Sequence, residues 1–212
     1  MDDREPEERY KKVISTWGNN SRFDDFVKKI GEREVDPIIK EIVERDRPRD
    51  VLELGTGSGI ETKYCLQSGC RVHGVDIQGE SLSMIMNRLT DEEKDRLIFS
   101  NSSFEELELD SNTFDLAIGL NSFWFCNPKY FDDFFKVITD SLKSKGILVC
   151  DLLNIDDERI RSGKNFTAFS IENIKELFKS SYSTIEMRNT TRVAAEGMER
   201  HWNTFRIIAK KK

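Results

Sequence analysis

Three glycines at alternate positions, Gly55, Gly57 and Gly59, follow an acid, Glu53, and a second acid, Asp76, stands 21 residues past the first glycine. Residues without a Cβ let the backbone turn sharply and let a ligand approach it closely. Amides at the start of a following helix can receive polar or anionic ligand atoms. A carboxylate about 20 residues further on can accept hydrogen bonds from ribose hydroxyls at a strand end. The chemistry in view is therefore the binding of a nucleoside. Two common versions are excluded by spacing. The dinucleotide fingerprint needs Gly or Ala where Ile60 stands, and the P-loop needs a Gly-Lys-Ser/Thr that does not follow.

These residues need a strand before the glycines and a helix after them, and the pattern provides both. Short apolar runs predict strands over 51–54, 71–76, 97–99, 114–119 and 147–150. Helical spacing between them predicts helices over 60–67, 81–89 and 128–142, and Thr90 to Glu93 has the form of a capping box. Upstream, Asp36-Pro37 reads as a helix start with Ile38, Ile39, Ile42 and Val43 on its buried face, ended at Pro48. Downstream, Ser170 caps a helix carrying Ile171, Ile174, Leu177 and Phe178. Strands alternating with helices imply a parallel sheet with right-handed crossovers. The chain ends differently, in two extended stretches, 182–193 and 199–209, with no helix between them. Those should pair antiparallel as a hairpin.

Composition bounds the partners. The 212 residues suit one α/β domain, divided here into a helical arm over 1–35 and the domain proper over 36–212. The net charge of −6, with Lys210-Lys211-Lys212 as the sole basic run, argues against nucleic acid as the main substrate. No apolar window reaches the ~18 residues that suggest a membrane span, and no secretory signal precedes the domain. Cys65, Cys70, Cys126 and Cys150 lack zinc spacing and fit small apolar residues in a reducing compartment, the cytoplasm.

The order Val51-Leu52-Glu53-Leu54-Gly55-Thr56-Gly57-Ser58-Gly59, then Gly74-Val75-Asp76, Phe114-Asp115-Leu116-Ala117 and Lys145-Gly146-Ile147-Leu148, resembles a small, single-domain class I methyltransferase dependent on S-adenosylmethionine (SAM). The resemblance covers roughly residues 38–209 and includes the closing hairpin. It implies a three-layer Rossmann-like α/β fold with a mostly parallel seven-stranded sheet. It also implies roles. Glu53 would help hold the methionine end of SAM, often through water, and Gly55, Thr56, Gly57 and Gly59 would run beneath the cofactor. Asp76 would take the ribose, and Ile77 would pack on the adenine. Ser103 and Phe104 stand where the family often has an Asp and a small residue near the adenine amine, so Ser103 is a departure. Leu120 and Asn121 would lie beside the methyl donor.

A sulfonium methyl is already activated, so positioning an acceptor in line supplies much of the rate, and a general base is needed only for a protonated acceptor. No catalytic dyad stands out, and the catalytic residues are left unassigned. Tyr10 and Trp17 in the arm, with Trp124 and Phe125 after the fourth strand, are candidates to line an acceptor pocket, equally open to ordinary packing. His201 is a candidate base or a strand-face residue, and Trp202 a core residue. Asn127-Pro128-Lys129-Tyr130 lacks the second proline of the amino-group DNA methylase signature. The expectation is a SAM-dependent methyltransferase acting on a small molecule, as a monomer or homodimer. Its alternatives are a catalytically silent SAM-binding partner module and a protein side-chain methyltransferase. Ile60 and the hairpin oppose a nicotinamide oxidoreductase. An Asn-Ser-aromatic loop, where acids would be needed for a polyamine, opposes an aminopropyl transferase.

Overall fold

The computed structural model describes residues 33–163, 166–193 and 201–212, with the backbone alone at 189–193, 201 and 202. Its strands are β1 (Asp50–Leu54), β2 (Arg71–Asp76), β3 (Leu97–Asn101), β4 (Phe114–Gly119), β5 (Leu142–Asn154), β6 (Ala168–Phe169), β7 (Tyr182–Val193) and β8 (His201–Lys211). The helices are α1 (Pro37–Asp46), α2 (Ile60–Gln67), α3 (Gly79–Met86), α4 (Asp91–Lys94), α5 (Phe131–Ser141), α6 (Glu158–Arg161) and α7 (Ile171–Lys179). The sheet order is β3-β2-β1-β4-β5-β8-β7. The first five strands are parallel, and β8 runs antiparallel between β5 and β7. This is the expected three-layer architecture, with one addition. The two-residue β6 pairs with the end of β5, making an eighth strand beside the seven foreseen.

Period-two alternation divides the sheet between two cores. Val51, Leu116 and Ile118 face the layer of α1, α2 and α3, with Ile39, Ile42, Cys65, Leu66 and Ile85. Leu52, Leu54 and Ala117 face the opposite layer, where Phe131, Phe134, Phe135, Ile138, Ile174 and Phe178 pack. The caps hold the helices where the pattern placed them. Asp36 accepts from the Ile38 amide at the start of α1, and Arg47 ends that helix in a left-handed conformation before Pro48. Thr90 and Glu93 form the capping box of α4, and Ser170 and Asn173 form another at α7. The middle of the chain departs in detail. A 3-10 turn, Pro128–Tyr130, precedes α5, and α3 starts two residues and ends three residues earlier than expected. β5 outruns its apolar segment because pairing with β8 continues to Leu153 opposite Thr204. Among the described residues, no helix is long and apolar enough to cross a membrane.

Three distant segments are joined by one buried guanidinium. Arg206 in β8 forks onto Asp151 in β5, with Nη2 2.9 Å from Oδ2, and its Nη1 reaches Asp36 Oδ2 at 2.8 Å. All three side chains are buried or nearly so. Removing one member of such a cluster strands uncompensated charge in the interior, at a cost of about 3–5 kcal/mol. Arg206→Ala should therefore lower the unfolding free energy by about that amount, read by urea titration.

Candidate active site

The sheet reverses its order between β1 and β4, since β2 and β3 build to one side of β1 while β4 and β5 build to the other. Ligands in open α/β sheets bind in the crevice at such a switch point, beyond the carboxyl ends of the strands. The glycine segment leaves β1 there, and the Leu120–Asn121 segment leaves β4 beside it.

The glycine segment is closed by its own bonds. The amide of Gly55 donates to the Val75 carbonyl at 2.8 Å, and that of Gly59 to the Thr56 carbonyl at 2.8 Å. All three glycines have positive φ, which side-chain-bearing residues resist. Their reasons for being glycine differ. A Cβ on Gly55 would lie 2.5 Å from Ser122 Cβ, and one on Gly59 would lie 2.2 Å from Ile85 Cγ1. At Gly57 a Cβ would meet nothing within 4 Å. Two glycines thus serve close packing, and Gly57 alone faces open space above the sheet. Thr56 is buried, and its methyl is accommodated by Gly74.

Asp76 closes over the same loop from the end of β2. Its Oδ2 accepts from the Gly57 amide at 2.8 Å, and its Oδ1 from the Gln78 amide at 2.9 Å. Burial pushes its carboxyl above the usual range, and the two amides pull it back. Asn101, which sequence reasoning missed, fixes the backbone here: its amide donates to the carbonyls of Asp76 and Ile77 at 3.0 and 2.9 Å. Ile77 is 42% exposed, an apolar side chain presented to solvent next to the carboxylate.

Beneath the loop sits a second acidic group. Glu53 is 4% exposed and accepts a hydrogen bond from the Thr62 hydroxyl. Burial first, and then the charge of Glu61, raise its carboxyl well above the ordinary range. Glu61, 3% exposed, is held bidentate by Arg33, with Nη1 2.6 Å from Oε1, and by the Asp36 amide at 3.1 Å. Neither Glu61 nor Arg33 was foreseen. Glu61 looks like an exposed acid in the first turn of a helix, and only its partner from the end of the arm explains its burial.

On the β4 side, Leu120 packs against the α1–α3 core, and Asn121 takes a left-handed backbone with its amide 3.1 Å from Asp151 Oδ2. The hydroxyl of Ser122 donates to the Leu54 carbonyl at 2.7 Å, tying this segment to the end of β1. The remaining candidates divide. Ser103 is bonded to Glu106 at 3.2 Å, and the Phe104 ring turns to the core, stacked on Phe134 at 4.6 Å. Trp124 is 2% exposed and so packs within the protein, whereas Phe125 is partly exposed and meets Phe166 edge-on at 5.6 Å. Tyr10 and Trp17 lie outside the described residues, as do the side chains of His201 and Trp202. Two surface hollows open elsewhere, one along α1 and the closing hairpin and one at the amino ends of β1 and β2.

The family model described as a methyltransferase domain matches residues 51–146, which run from the first strand through the glycine loop and Asp76 to the start of β5. The chain carries a class I SAM-dependent methyltransferase domain. Solved structures share the fold at low identity. The 1,6-didemethyltoxoflavin-N1-methyltransferase of Burkholderia thailandensis is 18% identical, with a TM-score of 0.70 over 99% of this chain and 91% of its own. TehB from Haemophilus influenzae is 18% identical, with a TM-score of 0.72 over 89% of this chain and 66% of its own. The phosphoethanolamine N-methyltransferase 2 of Haemonchus contortus is 17% identical, with a TM-score of 0.73 over 96% of this chain and 60% of its own. The last two are therefore longer proteins. No curated protein matches the methyltransferase in sequence.

The contrast among the glycines can be tested. Gly59→Ala should destabilise the methyltransferase by about 1–3 kcal/mol through overpacking against Ile85, with a matching fall in melting temperature. Gly57→Val meets no packed atom, so its stability cost should come from the positive φ alone, and it should abolish binding of S-adenosylhomocysteine in calorimetry.

Proposed function

We propose that this methyltransferase transfers the methyl group of SAM to a small-molecule acceptor held above the carboxyl ends of β1 and β4. The observation that carries the reading is the open space at Gly57 directly beside the Asp76 carboxylate, at the point where the sheet order reverses. The residues around it match the cofactor's chemistry. Asp76 has the acceptor geometry for the ribose diol. The exposed face of Ile77 suits the adenine, and the backbone at Ser103 and Phe104 is left to meet its amine, since both side chains are engaged elsewhere. Glu53 lies beneath the amino-acid tail, Gly55 to Gly59 run under the sulfur, and Leu120 and Asn121 flank it.

When bound, SAM supplies a methyl group already activated on a sulfonium. The chain has then to orient the acceptor and exclude water. Asn121 is set for this by the clasp of its amide to Asp151, and Ser122 by its bond to Leu54. Phe125, backed by the buried Trp124 and edged by Phe166, offers a part-exposed aromatic wall for an acceptor.

Two features favour a small acceptor. The acidic balance of the chain opposes a polyanion. Asn127, where a DNA amino-methylase would present its side chain, is buried and spends its side-chain oxygen on the Lys129 amide at 3.0 Å. The Burkholderia thailandensis enzyme, which aligns along 99% of this chain, has 1,6-didemethyltoxoflavin and S-adenosylhomocysteine bound in its crystal structure. Four buried free cysteines suit a cytoplasmic protein, and a monomer or homodimer suffices for this chemistry.

Incubation with labelled SAM and a metabolite extract should yield a methylated small molecule identifiable by mass. Label appearing only on protein would make it a side-chain methyltransferase, and binding without any transfer would leave a silent cofactor binder. Asp76→Asn keeps an acceptor for the Gly57 amide but loses the charge toward the ribose. S-adenosylhomocysteine affinity should fall about tenfold to a hundredfold, the worth of a charge-assisted hydrogen bond, with a stability loss of about 1–3 kcal/mol because the new NH2 faces the Gln78 amide. Unchanged affinity would remove Asp76 from the site.

A further inference from the structure

Two carboxylates lie under the glycine loop with one guanidinium between them. Arg33 is committed to Glu61 through both nitrogens, and the Asp36 amide adds a third bond to that carboxylate. Glu53 is equally buried, yet among the described residues its hydrogen bond comes from the hydroxyl of Thr62, the residue after Glu61 on α2. The groups that act on Glu53 are Glu61 from α2, Asp76 from β2 and Arg33 from the segment before α1. Asp36, at the start of α1, is matched by Arg206. Among the described residues, carboxylates thus outnumber cations around Glu53. A buried carboxylate without a counter-charge takes up a proton instead of holding its charge in a poorly solvating interior. The upward shift at Glu53 agrees with that geometry.

Resting on the cofactor reading above, we propose that Glu53 is protonated in the free methyltransferase and releases that proton to solvent when the amino-acid tail of the cofactor brings its ammonium group above it. The exchange balances. The Glu53 O–H bond breaks, the proton leaves to buffer, and the new carboxylate pairs with an ammonium that stays charged. Glu61 is then a positioning residue. By retaining Arg33 it keeps the cation that acts on Glu53 among the described residues away from it, so that the cofactor's tail becomes the missing counter-charge. Cofactor affinity should rise with pH through the range in which free Glu53 titrates, by at most about tenfold per pH unit for one proton, and level off above it.

Calorimetry over a pH series, in two buffers of different ionisation enthalpy at each pH, tests this with the full chain. S-adenosylhomocysteine carries the ammonium and cannot react. Over the pH range in which its affinity rises, its apparent binding enthalpy should change with buffer in proportion to the proton released. 5′-Methylthioadenosine, a nucleoside thioether without the amino-acid tail, should bind with no such dependence. Glu53→Gln keeps the bond from Thr62 and should remove the proton release. Glu61→Gln frees Arg33 to pair with Glu53, leaving it ionised beforehand, and should also reduce the release toward zero. Tight S-adenosylhomocysteine binding with no proton release by the wild type would overturn the proposal and leave the cofactor reading intact. So would an undiminished release in Glu53→Gln, because the proton would then come from another group. Failure of S-adenosylhomocysteine to bind at all would overturn the cofactor reading itself.

Discussion

The amide of Gly57 donates to Asp76 across the mouth of the cleft, and this bond joins the turns that follow the first two strands of the sheet. It can form only because the loop is left-handed at three glycines, so that its N–H points toward β2 instead of into a helix. Gly74 gives way to the Thr56 methyl, and Asn101 grips the carbonyls of Asp76 and Ile77 from the end of β3. Backbone geometry, one carboxylate and three neighbouring strands therefore fix this turn. A cofactor that binds on it, as proposed, would be spared the entropy of ordering it.

The opposite side of the cleft is organised by buried charge. A chain of bonds runs from Arg33 to Glu61, through the Asp36 amide, and on through Asp36 and Arg206 to Asp151 and the amide of Asn121. It links the segment entering α1 to Asn121, the residue proposed to lie beside the methyl donor, and every link crosses between elements. Buried ion pairs are weak evidence for stability, because desolvation consumes most of their attraction. Their value here is geometric. Each requires one arrangement of α1, β5 and β8 relative to the loop after β4, and a site that works by aligning two reactants depends on such fixed relations.

How far the sequence disclosed this depended on whether the signal was local. Helix α2, strands β2 and β4 and the N-cap at Asp36 were legible because periodicity and capping act over a few residues. The closing hairpin was legible because the sequence between its two extended stretches carries no helical periodicity. The glycine loop and Asp76 could be read from spacing, but the distinct duties of Gly55, Gly57 and Gly59 could not. Those depend on Ser122 and Ile85, which lie 26 to 67 residues from them in the chain. Glu61, Arg206 and Asp151 were invisible for the same reason, since a charged residue in a strand or first helical turn looks solvated until its partner is found. β6 escaped because two residues have no period. The aromatic run after β4 divided unexpectedly, with Phe123 filling the space left by Gly119 and Trp124 buried while Phe125 stays at the surface.

These two halves also explain why cofactor and acceptor differ in legibility. The cofactor half is built from backbone turns and carboxylates, and its chemistry admits few residue types. A diol needs an acceptor, a sulfonium tolerates no nearby cation, and a tight turn needs glycine. The acceptor half has only to present a wall of suitable shape. Phe125 and Phe166, the proposed wall, would meet that need as any pair of apolar rings would, and methyl transfer from an activated donor demands no further group of fixed type. Chemical necessity therefore marks the sequence on one side of the sulfur and leaves little trace on the other. A wall of the proposed kind would select its acceptor by shape, in loops whose sequence is constrained by neither helical nor strand periodicity.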